Sequence, residues 1–442
     1  MKKQQLNAVV LAAAAGMTLI PTGHAQSVDS LLNKLVDRGV LTKGDADELR
    51  QESNEDFRSA LAANMGSPNW VSALKFNGDF RGRLDYLGSD NSAFTDRYRL
   101  RYRLRAGVTA KFKDHFEVGF RLGTGDSGGN ALSNNTTLEN NATKKPVWID
   151  TAYATWTPIH DDEWTASATI GKMLNPFALS PMVFDPDYTP EGAAVQDSWK
   201  INDQNTVKFN GGIFVLDELA GSGTDPFMYG GQFIWDAKWS SKVESSLGIA
   251  MLDIAHKQQL SEPPAPASSN VPNNNTGNTR DAAGNLLNNF NPVVVSASVT
   301  YKADHFPLYQ GAFPIKVGGE YMNNPAAGSN NEGWWGGVTF GKANKRGNWD
   351  LSYRYQRLES DAWYEEVVDD DNAAFYQTAA TGGKSGMVGG SNIEGHLVKL
   401  NYRLSDSLTF TFTGYFNELI NASPAGSKSG GNHVMADVMW KF

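Results

Sequence analysis

Five arginines occupy alternate positions in the stretch RYRLRYRLR, at Arg97, Arg99, Arg101, Arg103 and Arg105. Each guanidinium is permanently charged and presents a planar fork of donors that suits phosphate and carboxylate oxygens. A row of this kind acts through its electric field, either on the phosphates of a nucleic acid or on ions that cross a water-filled channel. The residue types therefore predict electrostatic recognition rather than bond breaking.

The spacing of the arginines predicts a β-strand. Successive side chains of a strand point to opposite faces, so the arginines share one face and Tyr98, Leu100, Tyr102 and Leu104 share the other. Three settings have this pattern: a soluble, half-buried strand, a β-ribbon that binds nucleic acid, and a strand of a membrane barrel with lipid outside and water inside. The alternation does not choose among them.

The first 25 residues are typical of a secretory signal peptide. Lys2 and Lys3 precede the uncharged apolar run 8–20, and the small residues of the triplet GHA place a cleavage site after Ala25. The run is short for a membrane-spanning helix. The chain has 39 basic and 48 acidic residues, and an acidic exported protein is a poor ligand for nucleic acid. Nucleic-acid binding is therefore disfavoured.

The composition after the signal peptide suits a water-filled barrel. There is no cysteine, so packing or lipid must stabilise the exported chain without disulfides. No later stretch approaches 18 consecutive apolar residues, so the sequence predicts no transmembrane helix after the signal peptide. The 44 glycines, 12 tryptophans, 15 tyrosines and 22 phenylalanines are typical of a barrel with aromatic girdles.

The chain after the signal peptide divides into two regions. Residues 26–70 include leucines at helical spacing, and we expect a short helical periplasmic segment followed by a linker. Residues 71–442 show two-residue alternation instead and predict sixteen strands. The expected strands are 74–87, 97–112, 115–124, 147–157, 163–171, 193–199, 206–216, 229–239, 243–255, 292–303, 313–322, 334–343, 348–358, 396–404, 407–417 and 433–442.

The lengths of the connections favour a membrane barrel over a soluble sandwich. Connections after even-numbered strands are mostly short, whereas most of those after odd-numbered strands are long: 125–146, 172–192, 256–291 and 359–395. An outer-membrane barrel has short periplasmic turns and longer external loops. The fold predicted is therefore an all-β, up-and-down antiparallel transmembrane barrel of about sixteen strands.

The last strand, HVMADVMWKF, carries an alternating apolar row that includes Trp440 and ends in Phe442. It resembles the final strand of bacterial outer-membrane barrels, whose terminal aromatic residue is an assembly signal for the barrel assembly machinery. The resemblance to porins covers nearly all of the mature chain. The N-terminal segment followed by a barrel is similar to the "putative porin" family of Gram-negative bacteria in particular.

Motifs that could indicate an enzyme lack their partners. The stretch GTGDSGG, residues 123–129, matches both a dinucleotide-binding pattern and the surroundings of a trypsin-like serine. No helical pattern follows it, and His115, the histidine upstream in the mature chain, lies too close to supply a separate strand. The histidines show no metal-binding spacing. An outer-membrane hydrolase is the enzyme alternative, but we expect no catalytic residues, no metal and no cofactor.

In a barrel, the arginines must face water because an arginine facing lipid at the bilayer midplane costs about 2–4 kcal/mol. The sequence therefore predicts a basic, pore-lining wall, with the alternative that these arginines only solvate the wall and pair with lumen acids. The predicted pore-lining residues are Lys75, Arg81, Arg83, Arg97, Arg99, Arg101, Arg103 and Arg105.

The resemblance to porins implies that the third external loop, 172–192, folds inward. Its acids Asp185, Asp187 and Glu191 are then expected to oppose the arginines at a constriction. Another acidic stretch, DDDN at 369–372, predicts a solvated loop, or alternatively a divalent-ion site between lipopolysaccharide phosphates.

The function expected is a porin of the cell outer membrane for passive diffusion of small hydrophilic solutes and ions. The alternatives are an anion- or phosphate-selective channel, and an adhesin or phage receptor built on the external loops. The resemblance also implies a homotrimer. The expected partners are outer-membrane lipid, lipopolysaccharide, small solutes and the barrel assembly machinery.

Overall fold

A computed structural model describes residues 70–126, 130–260, 276–377, 386–422 and 428–442. The chain divides into two units, residues 1–74 and 75–442, and the second contains the barrel. The signal peptide predicted at 1–25 and the helical segment predicted at 26–70 lie outside the described residues, apart from residue 70. Within the described part of the chain, no helix has the length and apolarity needed to cross a membrane.

The regular structure of the described residues consists of β-strands and of three single turns of 3₁₀ helix in the loops, Asn140–Ala142, Lys257–Leu260 and Glu365–Val367. The strands are Val71–Ser89 (β1), Arg97–Phe112 (β2), Phe116–Thr124 (β3), Thr136–Thr137 (β4), Val147–His160 (β5), Trp164–Lys172 (β6), Glu191–Asn202 (β7), Asn205–Val215 (β8), Phe227–Lys238 (β9), Val243–Ala255 (β10), Val293–Ala303 (β11), Phe313–Asn323 (β12), Glu332–Gly341 (β13), Trp349–Leu358 (β14), Ala373–Tyr376 (β15), Gly386–Gly389 (β16), Ile393–Arg403 (β17), Leu408–Leu419 (β18) and Gly431–Lys441 (β19).

Sixteen of these strands close into an antiparallel barrel, in which each strand pairs with its neighbours in the chain and β1 pairs with both β2 and β19. The closing register places Arg83 opposite Asp437 and Asp79 opposite Lys441. Three short strands are additional: β4 pairs with β2, and β15 and β16 form a separate hairpin. The predicted sixteen-stranded, all-β barrel is confirmed, with differences of a few residues at the strand ends.

The two rims of the barrel differ in the way that the sequence predicted. At one rim, strands are joined by short connections such as 113–115 and 203–204, and we call this the short-turn rim. At the other, the long-loop rim, the connections include 125–146, 173–190, 256–292 and 359–392. Since the strands are antiparallel, every second connection reaches the same rim.

The outer and inner faces of the barrel follow the alternation of the sequence. On β2, the exposed fractions are 74% for Tyr98 and 57% for Leu100, but 8% for Arg101 and 5% for Arg103. Apolar side chains therefore face outward and charged side chains face inward, the reverse of a water-soluble protein and the arrangement of a membrane barrel.

The largest apolar cluster lies inside the barrel near the long-loop rim. It joins residues of the 173–190 loop, the 256–292 loop and the 359–377 segment to inward-facing residues at the adjacent strand ends. Trp363, Val183 and Met322 are fully buried in it. The long loops thus supply the core that a barrel wall alone does not have.

Candidate functional site

Six arginines of β1 and β2 lie together on the inner wall, and we call this set the arginine wall. Its members are Arg81, Arg83, Arg99, Arg101, Arg103 and Arg105. These residues share one face because each strand places every second side chain toward the lumen. Of the other predicted pore-lining residues, Lys75 and Arg97 are exposed and lie near the ends of the same two strands.

Two aspartates of β1 neutralise the arginines of β2. Asp79 contacts Arg103 at 2.9 Å and Arg105 at 2.8 Å. Asp85 contacts Arg99 at 2.5 Å and Arg101 at 3.5 Å. Since charged side chains in a partly buried wall need partners, these aspartates allow four guanidiniums to stand on one strand.

Asp85 has a third partner on the other side of the barrel closure. His433 of β19 is 3% exposed, with Nε2 2.8 Å from an Asp85 oxygen and Nδ1 2.8 Å from the carbonyl oxygen of Asp371. Both ring nitrogens face oxygen acceptors, an arrangement that the protonated imidazolium satisfies because it donates from both. His433 therefore links the wall to the 359–377 segment.

The loop after β6 supplies one acid to the arginine wall. Asp187 lies 3.0 Å from Arg103 and 3.2 Å from Arg105. Asp185, two residues earlier, is 4% exposed, and its carboxylate accepts hydrogen bonds from the backbone N–H groups of Asp187 and Asp370 instead. The structure thus places Asp187 against the arginines and turns Asp185 toward another loop.

The prediction for Glu191 is wrong in this structure. Glu191 is the first residue of β7, not a loop residue, and its side chain is 64% exposed and lies 3.0 Å from Lys172. It shares the outward face of β7 with Val195 and Trp199, because all three occupy alternate positions of one strand. Glu191 therefore does not oppose the arginine wall.

The second acid at the arginine wall comes from a loop that we predicted to be solvated. Asp371 lies 3.2 Å from Arg83, which also binds Asp437 of β19 at 2.8 Å. Asp369 and Asn372 are 4% and 3% exposed, so the interpretation of DDDN as a solvated acidic loop is wrong. The stretch is covered because the 359–377 segment packs inside the barrel.

The 173–190 loop and the 359–377 segment bind each other directly. The backbone N–H of Asp185 donates to the carbonyl oxygen of Val367 at 2.8 Å, and that of Asp369 donates to Pro181 at 3.1 Å. The indole Nε1 of Trp363 donates to the carbonyl oxygen of Val183 at 3.0 Å. These bonds satisfy buried backbone groups, so the two loops form one unit.

Three carboxylates meet where these loops join. One carboxylate oxygen from each of Asp185, Asp369 and Asp370 lies within 4.8 Å of the other two. Burial, followed by repulsion from neighbouring aspartates, raises the pKa of all three carboxyls. At Asp371, burial acts in the same direction, but the charges of Arg83 and His433 outweigh it and lower the pKa. The loop junction thus holds three carboxyls with raised pKa values beside Asp371, whose pKa is lowered.

The end of the chain closes the barrel beside the arginine wall. Phe442 exchanges two backbone hydrogen bonds with Gly78, at 2.8 and 3.1 Å. Trp440 and Phe442 are 43% and 66% exposed, and the Trp440 ring lies 6.0 Å from the ring of Phe80. Both aromatic residues therefore lie on the outward face near the short-turn rim.

A cavity of about 620 Å³ lies in the lumen against this charged region. It is lined by Arg81, Arg83 and Arg103 on one side and by Asp185 and Asp187 on another, among other residues. The sequence could have indicated Asp79 and Asp85, which alternate with the arginines of β1, and Asp437, which stands on the alternating inner face of β19. Asp371 carried no comparable signal.

The fold and this site define a porin-type barrel with a charged lumen. Residues 85–291 match the model of a family described as "Putative porin", which confirms the predicted resemblance over that range. A high-pH structure of Pseudomonas putida OprB has the same fold, with a TM-score of 0.50 and 11% identity over 84% of this chain and 94% of that chain.

Other solved structures are similar at a lower level. Salmonella typhi OmpF in complex with daunomycin has a TM-score of 0.47 and 8% identity over 84% of this chain and 97% of that chain. A triple mutant of Rhodopseudomonas blastica porin has a TM-score of 0.41 and 10% identity over 84% and 100%. No curated protein matches the sequence. The family match and the fold together support an outer-membrane channel.

Proposed function

We propose that the protein forms a water-filled outer-membrane channel for passive diffusion of small hydrophilic solutes and ions. The observation that carries the proposal is the position of Asp187 between Arg103 and Arg105, since it tethers a long loop to the lumen wall and narrows the pore at a charged surface. The Debye length is about 8 Å at physiological salt, so fixed charges control ions only where the lumen narrows to a comparable radius.

A second segment, which the sequence did not predict to lie in the lumen, also borders the narrow part of the pore. The 359–377 segment packs against the 173–190 loop and reaches the arginine wall through Asp371. We infer that solutes pass beside this two-loop unit, between its acids and the arginines. The opposed charges produce a transverse field that orders water and favours polar over apolar solutes.

Planar-bilayer recording of the refolded protein tests the proposal. The parent is expected to give discrete conductance steps, and replacing Arg99, Arg101 and Arg103 together by Ser is expected to shift the reversal potential in a salt gradient toward cation preference. Low salt is expected to enlarge the shift. A folded protein that gives no conductance steps would exclude the channel function.

The assembly and surroundings of the barrel complete the proposal. The signal peptide directs export and is cleaved after Ala25. The barrel assembly machinery recognises the terminal strand through Trp440 and Phe442. Deletion of Phe442 is therefore expected to lower assembly into the membrane more than it lowers synthesis of the chain. The outward apolar face contacts lipid and lipopolysaccharide. Three copies associate as a homotrimer, which cross-linking of the membrane-inserted protein tests.

A further inference from the structure

One guanidinium of the arginine wall differs from the other five. Five of the six have a carboxylate oxygen within 3.5 Å: Arg83, Arg99, Arg101, Arg103 and Arg105. Among the described residues, Arg81 has none within that distance, and its carboxylate contact is Asp437 at 3.9 Å. Asp437 already binds Arg83 through two hydrogen bonds of 2.8 and 3.0 Å. The charge of Arg81 is therefore the least compensated of the wall.

A neutral group holds Arg81 in place. The guanidinium donates from Nη2 to Oδ1 of Asn135 at 2.6 Å. Asn135 is 4% exposed, and its own Nδ2 lies 3.1 Å from Oγ of Ser133, which fixes the amide so that its oxygen faces Arg81. An amide oxygen satisfies a donor without removing the charge, so Asn135 orients Arg81 and leaves it cationic.

The terminal nitrogens of Arg81 lie at the lumen cavity. Arg81 lines the lumen cavity of about 620 Å³, together with Lys399 and Lys441, which are both exposed. A guanidinium has five N–H donors. One of the N–H groups of Nη2 donates to Asn135, and the buried Nε has no partner. The other N–H groups of Nη1 and Nη2 are therefore available to a ligand. A planar pair of donors of this kind suits an oxyanion that offers two oxygens.

We propose that Arg81 is a binding subsite for the oxyanionic group, carboxylate or phosphate, of solutes that enter this channel. The inference rests on the diffusion function proposed above and deepens it by naming the solute class. An anion approaches along the exposed lysines of the cavity and exchanges its water for the free donors of Arg81. The neighbouring guanidiniums do not compete, because their own carboxylates occupy them. Binding must be weak enough for the solute to leave.

Competition recording tests the subsite. Chloride current through the parent channel is measured while acetate or inorganic phosphate is added at constant ionic strength. We expect a saturable decrease of the chloride current, and we expect Arg81→Gln to raise the half-saturating concentration about tenfold or more, with Arg81→Lys between the two. Arg121→Gln is the matched control, because Arg121 of β3 is paired with Asp150, does not belong to the arginine wall and lies outside the residues that line the cavity.

The outcomes separate the possible solutes and the possible failures. Saturation by acetate alone identifies a carboxylate site, by phosphate alone a phosphate site, and by both a general oxyanion site. Saturation that is the same in the parent and Arg81→Gln, or absent from the parent with both anions, overturns the proposal. Heat-sensitive migration on a detergent gel verifies that each variant is folded.

A binding measurement keeps the subsite distinguishable from the channel function. Calorimetric titration of the refolded protein with inorganic phosphate and with acetate requires no conductance. Binding heat that is lost in Arg81→Gln and retained in Arg121→Gln supports the subsite even in a protein that does not conduct. Conductance with no Arg81-dependent heat and no Arg81-dependent saturation leaves the channel function standing and excludes the subsite.

Discussion

One oxygen of Asp187 lies 3.0 Å from Nη1 of Arg103 and 3.2 Å from Nη1 of Arg105. A single carboxylate of the 173–190 loop thus bridges two guanidiniums of β2, 82 and 84 residues away in sequence. Asp79 binds the same two arginines from β1. The loop is therefore attached to a wall that is already partly neutralised, and loss of Asp187 alters the loop rather than the wall.

Asp187→Asn is expected to loosen the 173–190 loop and to raise anion preference. The substitution removes one negative charge and weakens three charge-assisted hydrogen bonds from Arg103 and Arg105. A hydrogen bond to a charged group contributes about 1.5–3 kcal/mol. Reversal potentials and the exclusion size for neutral sugars measure the two effects. Glu191→Gln is the control, because Glu191 pairs with Lys172 on the outward face. Equal shifts in both variants would contradict the assigned geometry.

Asp371→Asn is expected to release the second loop from the wall. It removes the partner 3.2 Å from Arg83 while Asp437 continues to hold that guanidinium. Anion preference should therefore increase, and limited proteolysis of the 359–377 segment should become faster, with the barrel itself intact on detergent gels. Proteolysis at the parent rate would show that the segment is held by its apolar residues alone.

The barrel was predictable because alternation is a local property of the sequence. The five arginines of β2, the apolar row between them and the lengths of the connections each report which face or rim a residue occupies. Asp187 was predictable only through a resemblance to porins. Asp79, which binds the same two arginines, could have been found from the alternating face of β1, where it stands two residues before Arg81.

The interior loops were less predictable, because polarity in a sequence does not report burial. The stretch DAWYEEVVDDD suggests a solvated acidic loop by charge, yet Trp363 is fully buried and Val367 is 3% exposed. The five apolar residues of this stretch, all buried in the largest apolar cluster, were the available signal. Their burial depends on the 173–190 loop, which contacts this stretch across sequence separations of 180 and 185 residues.

The docking of the two loops is expected to weaken as pH rises above the ordinary aspartate pKa of 3.8. Asp185, Asp369 and Asp370 have pKa values raised above the ordinary value of 3.8, so the docked state binds more protons than the separated state. The stabilisation of the docked state by these three carboxyls is fully present below pH 3.8. It is lost as the pH rises through their raised pKa values. The ion pair of Asp371, whose pKa is lowered, has the opposite dependence and is lost only in strong acid.

Limited proteolysis at several pH values measures this dependence. Cleavage within the 359–377 segment should become faster toward pH 8 in the parent, and Asp369→Asn should reduce the change because one of the three repelling charges is absent. Asp203→Asn serves as the control, since Asp203 lies in the turn between β7 and β8 at the short-turn rim. A parent rate that does not change with pH would exclude a proton held among the three acids.

The final prediction concerns the seam that closes the barrel. Gly78 exchanges backbone hydrogen bonds with Phe442, and a Cβ at position 78 would lie 2.6 Å from the Phe442 ring and also against the carbonyl oxygen of Arg105. Gly78→Ala therefore displaces either the terminal aromatic residue or the β1–β2 pairing, at a cost of about 1–3 kcal/mol for overpacking. Gly82→Ala is the matched control, because Gly82 lies four residues further along the same face of β1, and a Cβ there meets nothing within 4 Å. The temperature at which the folded band converts on a detergent gel should fall for Gly78→Ala and stay at the parent value for Gly82→Ala. Truncation of the ring in Phe442→Ala should restore part of the loss in the double variant, since the clash with the ring is then removed. Additive losses in the double variant would show that the Arg105 carbonyl, not the terminal aromatic residue, requires glycine at this position.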